Sequence, residues 1–187
     1  MSERASVEGR ERLRLFVALV LPQAARDRIV AWQGRELGSV EGIRVVAPDN
    51  LHVTVAFLGG RPAAEVGAIL GVMRDSAGST GPPVLTPARY RETRSVGMVV
   101  FDDENDRATT LARELFAGLE RTGVYEREHR QWLPHVTVLR FRGRPPRLAP
   151  PLPDVGQVSP SEVALYHSVL RPSGAQYEIV ESVALGG

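Results

Sequence analysis

The sequence predicts an α+β fold of two similar lobes, with two antiparallel sheets that line one central cleft and helices on the outside. The main observation is a repeat: the tetrapeptide His52–Val55 returns unchanged as His135–Val138, at an offset of 83 residues (135 minus 52). The same offset carries the apolar segment Leu15–Ala18 onto the apolar segment Met98–Phe101. It also carries apolar positions of the first predicted helix onto those of the third. Strand, helix and strand therefore occur twice in one register, which indicates two halves related by a pseudo-twofold axis.

The first part of the chain is divided into elements by its apolar periods and by proline and glycine. The apolar run Leu13–Leu21 is predicted to be a buried strand. Pro22 is expected to open a helix, because proline is favoured at the first helical position. The buried face of that helix is predicted to consist of Ala25, Ile29 and Trp32. The elements after it are predicted to be a short strand at Ile43–Val46, a turn at Pro48–Asn50 and a strand at Leu51–Leu58 that ends at Gly59-Gly60.

The later part contains the clearest helical period. A helix from Pro62 is predicted to precede a break at Pro82-Pro83, and a third helix is expected to be capped by Asp106 and ended by Gly123. The apolar face of the third helix is Ala108, Leu111, Ala112, Leu115, Phe116 and Leu119. The other predicted elements are a hairpin of Val84–Thr93 and Val96–Phe101, a strand at Pro134–Phe141, a loop over residues 142–160, and a last hairpin of Val163–Leu170 and Gln176–Leu185 around Ser173-Gly174.

The composition is that of one ordinary globular domain. The chain has 187 residues, of which 43% are hydrophobic, so it can bury a core of normal size. The lack of cysteine excludes disulfides, cysteine–zinc sites and thiol nucleophiles. The net charge is +1, whereas proteins that bind long stretches of nucleic acid through phosphates usually carry a large basic excess. If RNA is the substrate, we expect a local contact with one end of it.

The predicted boundaries are a disordered tail over residues 1–11 and a single domain over residues 12–187. The tail is polar and of mixed charge, which is typical of a loosely held terminus. The longest apolar run near the start, Leu15–Leu21, is much shorter than the roughly 18 residues that a membrane span needs. Charged residues precede it, so no signal peptide is predicted. We expect a monomeric cytoplasmic protein without a membrane partner.

The repeated motif places polar side chains together. Side chains on a strand alternate between its faces, so His52 and Thr54 share one face, as do His135 and Thr137 on the equivalent strand. Two histidines on opposite sides of a phosphate can act as an acid–base pair, because the pKa of histidine lies near neutrality. One takes the proton of an attacking water and the other protonates the departing ribose oxygen. The threonine hydroxyls can donate to the non-bridging phosphate oxygens.

Two other interpretations of the histidines carry less weight. A lone histidine on such a strand is usually a hydrogen-bonded core residue, but here two of only 4 histidines occupy equivalent positions of a repeat. An ordinary zinc site needs three or four ligands, and the nearby acids Asp49, Asp102 and Asp103 show no recognised ligand spacing. The sequence therefore predicts turnover without a metal or another cofactor.

Three longer segments surround these motifs. They are Arg14-x-Phe16-Val17-Ala18, then Asn50-Leu51-His52-Val53-Thr54-x-x-Phe57-Leu58-Gly59, and then Arg130-x-Trp132-x-Pro134-His135-Val136-Thr137-x-x-Arg140. With these segments the sequence resembles the bacterial and archaeal RNA 2′,3′-cyclic phosphodiesterases of the 2H phosphoesterase superfamily, first called 2′-5′ RNA ligases. The closing segment also resembles the family's last hairpin, through Leu165-x-x-Ser168-x-Leu170 and Gly174-x-x-Tyr177. The resemblance spans roughly residues 12–185.

The resemblance implies the 2H phosphoesterase fold and an RNA 2′,3′-cyclic 3′-phosphodiesterase, a hydrolase that acts in RNA processing. Its partner is then an RNA that ends in a 2′,3′-cyclic phosphate, its product is a 2′-phosphate, and RNA ligation is a minor reverse reaction. The resemblance also implies that His52 is the proton donor and His135 the acceptor; the near-symmetric repeat gives no separate reason for that assignment. The chain departs from the family pattern at Leu133, where an arginine is common, and at Leu139, where a small residue is common.

Four further residues are expected to hold the substrate. Arg130 and Arg140 are the expected phosphate contacts, since the arginine fork suits phosphate oxygens. Phe57 or Trp132 is expected to stack on a base. Arg140 lies five residues after His135, so a regular strand directs it away from the site, and a bulge or the strand end must redirect it.

Two other functions stay open at this point. One is a phosphodiesterase for another small phosphodiester, such as a 2′,5′-linked oligonucleotide or a cyclic nucleotide-sugar. The other is a non-catalytic module that binds RNA ends. The presence of both histidines and both threonines argues against the second, because binding alone does not need two titrating groups.

Overall fold

The computed structural model describes residues 11–126, 131–143, 147–171 and 174–186, and no helix among them is long and apolar enough to cross a membrane. The strands are, in chain order, β1 (Arg12–Val20), β2 (Ile43–Val45), β3 (His52–Pro62), β4 (Leu85–Glu92), β5 (Val96–Asp103), β6 (His135–Phe141), β7 (Glu162–Arg171) and β8 (Gly174–Ala184). The helices are α1 (Gln23–Leu37), α2 (Val66–Ser79) and α3 (Arg107–Arg121). These elements confirm the predicted α+β class.

The strands form one antiparallel hydrogen-bonded sheet in the order β4-β5-β6-β3-β1-β7-β8, with β2 paired along the C-terminal part of β6. Its two halves meet where β3 and β6 share a single residue pair, Val53 with Val136. These valines are equivalent positions of the repeat, because 136 minus 53 is again 83. The pseudo-twofold axis therefore passes between them, and the two predicted sheets are joined at that axis.

Each half of the sheet contains one strand that comes, along the chain, after the His-x-Thr strand of the other half. β4 comes after the first His-x-Thr strand but pairs with β5 of the second half. β7 comes after the second His-x-Thr strand but pairs with β1 of the first half. The two lobes are intertwined by this exchange, so neither half is built from one continuous stretch of chain.

The core lies on the face of the sheet opposite the histidine and threonine side chains. The alternate valines of both motifs are buried in it, and they are Val53, Val55, Val136 and Val138. Trp32 of α1 and Leu115 of α3, equivalent positions of the repeat, are buried in the same cluster. α2 packs closely against α3 at Gly118, where an added Cβ would collide with the side chain of Val72. The helices thus cover the outer face of the sheet, as predicted, and leave the polar face open.

Several predicted element ends are wrong. β3 does not stop at Gly59-Gly60 but continues to Pro62, because Gly59 takes a φ of +70° and still pairs with Leu15. Glycine adopts this left-handed conformation without a steric penalty. Pro22 immediately precedes α1 and occupies its N-cap instead of its first position.

The predicted cap of α3 is also wrong. Asp106 holds the N-cap position with a φ of +54° and makes no side-chain capping bond. The carboxylate of Asp103 takes that role, because it accepts hydrogen bonds from the backbone N–H groups of Ala108 (3.0 Å) and Thr109 (2.7 Å). Gly123 ends the helical segment with a φ of +72°, as predicted. Residues 1–10 of the predicted tail lie outside the described residues.

Candidate functional site

A β-bulge turns the end of β6 toward the cleft. The register of β6 against β5 slips by one residue at Val138, and an extra residue of this kind inverts the alternation of side chains beyond it. Before the slip, alternation puts His135 and Thr137 on the cleft face. After the slip, Arg140 takes that same face, and it lines the cleft. The bulge therefore turns the side chain of Arg140 toward the cleft, which a regular strand would not do.

The same bulge recurs at the equivalent position of β3. The register of β3 against β1 slips at Val55, which is 83 residues before the bulge of β6. Phe57 consequently joins His52 and Thr54 on the cleft face, and its side chain is 49% exposed. Phe57 and Arg140 are thus equivalent positions of the repeat with different chemistry, one aromatic and one cationic.

The pairing at the pseudo-twofold axis sets the polar groups against one another. Because Val53 pairs with Val136 in antiparallel fashion, His52 and Thr137 lie on one side of this pair and Thr54 and His135 on the other. Each histidine is therefore on the same side of the pair as the other motif's threonine. An anion above the axis has one histidine and one threonine on either side of it.

The cleft is a cavity of about 920 Å³, a volume typical of small-molecule sites. It brings together five of the predicted site residues: His52, Thr54, Phe57, Thr137 and Arg140. Further residues in its wall come from β1, the segment before β3, and the β7–β8 hairpin. Those that carry polar or aromatic groups include Arg14, Phe16, Arg44, Asn50, Ser168 and Tyr177.

The other predicted site residues have different positions. His135 is not among the described residues that line the cavity. Its charge nevertheless acts on His52 and lowers the pKa of that ring. Trp132 is half-buried against the core, and its indole N–H donates to the backbone carbonyl of Thr54 at 3.0 Å. It therefore ties the start of β6 to β3, and its stacking role stays a prediction. Arg130 lies outside the described residues.

His52 is enclosed by aromatic rings. Its ring centroid lies 4.9 Å from that of Phe16, 5.8 Å from that of Tyr166 and 5.4 Å from that of Tyr177. Phe16 and Tyr166 are stacked on each other with an interplanar angle of 4°. These rings hold the imidazole in place and remove much of its contact with water.

This burial is the largest influence on the acidity of His52. Desolvation is the main cause that lowers the pKa of His52 from its usual 6.5 to about 4; the charges of His135 and Arg140 act in the same direction, while the backbone carbonyl of Asn50 acts in the opposite direction. Desolvation disfavours the charged imidazolium, so His52 is neutral at pH 7 in the free protein.

A backbone carbonyl two residues earlier acts on each histidine. Nδ1 of His135 lies 2.8 Å from the carbonyl oxygen of Leu133, so Nδ1 carries the hydrogen and proton exchange is left to Nε2. The carbonyl of Asn50, the equivalent position, acts on His52, although Nδ1 of His52 makes no hydrogen bond of good geometry within the described residues. Nε2 of His52 lies 2.9 Å from Oγ1 of Thr54.

The sequence did not identify several residues of the cleft wall. Arg14 places its guanidinium 5.0 Å from the ring centroid of Phe57, as a cation–π contact at the mouth. Tyr177 reaches the cleft because β8 returns beside β7, and Asn50 donates to the carbonyl of Ala175 at 2.9 Å, which fastens that hairpin to the turn before β3. Arg14 and Tyr177 belong to the segments that carried the resemblance, and that is the one sequence feature that pointed to them.

No group of three or more histidine, aspartate and glutamate side chains that could hold a metal ion is found in the described ranges of the chain. The polar groups that line the cleft are imidazole, hydroxyl, amide and guanidinium groups, together with the carboxylates of Asp49 and Glu178. Hydroxyl and guanidinium groups are hydrogen-bond donors suited to phosphate oxygens. The arrangement is therefore one that can bind an anion and exchange protons with it.

Known proteins are similar to this chain in sequence and in fold. The family model described as LigT like Phosphoesterase matches residues 19–85. The RNA 2′,3′-cyclic phosphodiesterase of Thermus thermophilus is 31% identical over 184 residues, which cover 94% of this chain and 91% of that protein. The crystal structure of TT0787 of Thermus thermophilus matches with a TM-score of 0.80 and 28% identity, covering 94% of this chain and 99% of its own. Escherichia coli LigT complexed with 3′-AMP matches with a TM-score of 0.77 and 27% identity, covering 95% and 100%.

Proposed function

This chain belongs to the LigT-like phosphoesterase family of the 2H superfamily, and from that premise we propose that it hydrolyses the 2′,3′-cyclic phosphate at the end of an RNA to a 2′-phosphate. The observation that carries the proposal is the common cavity of His52, Thr54, Thr137 and Arg140 beside the pseudo-twofold axis. Paired proton carriers and hydrogen-bond donors around one anion are what cleavage of a phosphodiester requires.

In the proposed reaction a water oxygen forms a bond to phosphorus as the bond from phosphorus to the ribose 3′ oxygen breaks. His135 takes the proton of the water, and His52 gives a proton to the departing 3′ oxygen. The product is a 2′-phosphomonoester with a free 3′ hydroxyl. Thr54 and Thr137 donate hydrogen bonds to the non-bridging oxygens, and Arg140 offsets their negative charge. The assignment of donor and acceptor rests on the family resemblance. Ligation is the same step with a ribose hydroxyl of a second RNA in place of the attacking water, and we propose that it is minor.

The donor role requires that His52 gain a proton as substrate binds. A phosphate anion beside the ring favours its charged form and so raises the pKa, against the lowering by burial. At pH 7, binding of a nucleoside 2′-phosphate is therefore expected to draw a proton onto His52. We expect the His52 C2–H resonance to titrate with a pKa near 4 in the free protein and at higher pH with the ligand bound.

Nuclear magnetic resonance titration with and without the nucleoside 2′-phosphate checks this expectation, and the resonance is assigned by its absence from His52→Gln. The sign is fixed by the anion: the ligand must raise the pKa of His52. A resonance that titrates at the same pH in both samples would leave His52 neutral in the complex. It would then be suited to the acceptor role instead.

The activity itself is tested on an oligonucleotide that ends in a 2′,3′-cyclic phosphate. We expect conversion to a product whose terminal phosphate is removed by a phosphomonoesterase and whose 3′ hydroxyl is free. A product with a 3′-phosphate and a free 2′ hydroxyl would contradict the proposed leaving group. Preferred turnover of a 2′,5′-linked dinucleotide or a cyclic nucleotide-sugar would favour another small phosphodiester as the substrate. Tight binding of the RNA end without turnover would indicate a binding module.

The same assay tests the prediction of metal independence. We expect the rate to be unchanged after dialysis against a chelator, because the proposed step uses protons and hydrogen bonds alone. Loss of activity on dialysis, with recovery when one divalent ion is returned, would contradict the prediction.

A further inference from the structure

A second cavity adjoins the catalytic cleft at the end of β6. Its volume is about 500 Å³, and its wall consists of Arg44, Ser95, Arg140, Phe141 and Arg142. Arg44 and Arg140 also line the first cavity, so the two cavities share a wall. We call Arg44, Arg140 and Arg142 the arginine row.

The backbone holds the arginine row in place. Arg44 of β2 is paired directly with Arg140 of β6, and the N–H of Arg142 donates to the carbonyl of Gly42 at 2.9 Å. Arg142 follows β6 directly, and its side chain lines the second cavity together with that of Arg140. On the other edge of β6, the N–H of Phe141 donates to the carbonyl of Ser95 at 3.0 Å.

The charges of the row are uncompensated within the described part of the chain. All three arginines are exposed, and none of them forms an ion pair or a side-chain hydrogen bond with another described residue. Like charges directly across a pair of strands destabilise it, so Arg44 opposite Arg140 costs stability in the free protein. An anionic ligand that lies between them removes that cost. The described wall of the second cavity contains no acidic side chain, whereas Asp49 and Glu178 line the first cavity.

The chemistry of the proposed substrate indicates which anion the arginine row binds. In a 2′,3′-cyclic phosphate both the 2′ and the 3′ oxygens belong to the ring, so the rest of the RNA leaves the reacting nucleotide through its 5′ oxygen. The next phosphate is a diester one nucleotide away on that side. We propose that the arginine row binds this 5′ phosphodiester, so that the enzyme acts on oligonucleotide ends in preference to mononucleotides. The inference rests on the proposed function and extends the same site.

The test compares two substrates that differ by one phosphate. The first is a nucleoside 2′,3′-cyclic phosphate, and the second is a dinucleotide with the same cyclic end. We expect Arg142→Gln to lower kcat/KM on the dinucleotide about two- to fivefold, the range of one exposed charge contact, and to leave the mononucleotide unaffected. Arg142→Lys should keep most of the preference, because a phosphate also accepts a point charge. Arg121→Gln, an equal change in net charge at the exposed end of α3, is the control.

Salt dependence supplies an independent readout. For the wild-type protein, the slope of log kcat/KM against log salt concentration should be steeper on the dinucleotide than on the mononucleotide by about 0.7, the value for one single-strand phosphate contact. Arg142→Gln should remove that difference. Equal losses on both substrates, or no loss on either, would overturn the inference. Affinity for the matching dinucleotide and mononucleotide 2′-phosphates measures the same contact without turnover. Equal wild-type affinity for the two overturns the inference even where hydrolysis proceeds, and a failure of hydrolysis alone counts against the proposed function only.

Discussion

Replacing His52 or His135 with alanine is expected to slow hydrolysis of a cyclic phosphate end about 10²–10⁴-fold, the usual share of general acid–base catalysis. The reason is that each variant loses one of the two proton transfers that accompany cleavage, while the other contacts to the phosphate remain. Loss of Thr54 or Thr137 should cost less, because water can partly replace a hydroxyl donor. Steady-state kcat and kcat/KM on one cyclic substrate check the whole set.

The two histidine variants can be separated by the leaving group. A good leaving group departs without the help of a proton donor. His52→Ala should therefore regain much of its rate on a substrate that carries such a group. His135→Ala should stay slow, because the attacking water still needs a base. The opposite pattern of rescue would reverse the assignment of donor and acceptor.

His167 provides the matched control for these variants. It lies on β7, pairs with Leu15 and Glu178 in the register of the sheet, and does not line the cleft within the described residues. His167→Ala should therefore retain the wild-type rate on both substrates. Unchanged activity of His52→Ala and His135→Ala as well would end the acid–base proposal.

The second large effect is expected at Arg140. Arg140→Ala should lower kcat on a nucleoside 2′,3′-cyclic phosphate about 10²-fold, the lower end of the loss when a donor to a developing charge is removed. The mononucleotide substrate has no 5′ phosphodiester, so the assay isolates the contact with the reacting phosphate. Arg140→Lys should recover part of the loss, because it restores the charge without the bidentate geometry.

Arg14 is the control within the same cleft. Its guanidinium already lies over the ring of Phe57, so Arg14→Ala should lower the rate only about threefold, the order of one exposed cation–π contact. Melting temperatures of both variants show whether the fold is kept. If Arg14→Ala proved as slow as Arg140→Ala, the phosphate contact would have to be shared between the two arginines.

The sequence alone was enough to predict the repeat and its consequences. Two identical His-x-Thr strands at one offset indicated the pseudo-twofold axis. The alternation of strand side chains put the histidines and threonines opposite the buried valines. The repeat is visible as an identity between two segments, and the alternation is a short-range periodicity that a single strand expresses in its own residues. The α+β class, the helix over α3 and its end at Gly123 followed from similarly local patterns.

Only the tertiary structure determined which side chains at the ends of those strands face the cleft. The bulges at Val55 and Val138 depend on how β3 and β6 register against β1 and β5, and they alone bring Phe57 and Arg140 into the cleft. Register is a property of two strands far apart in sequence, so no periodicity within one strand contains it. The arginine row arises in the same way. Arg44 and Arg142 are 98 positions apart (142 minus 44) and become neighbours only because β2 pairs along the end of β6.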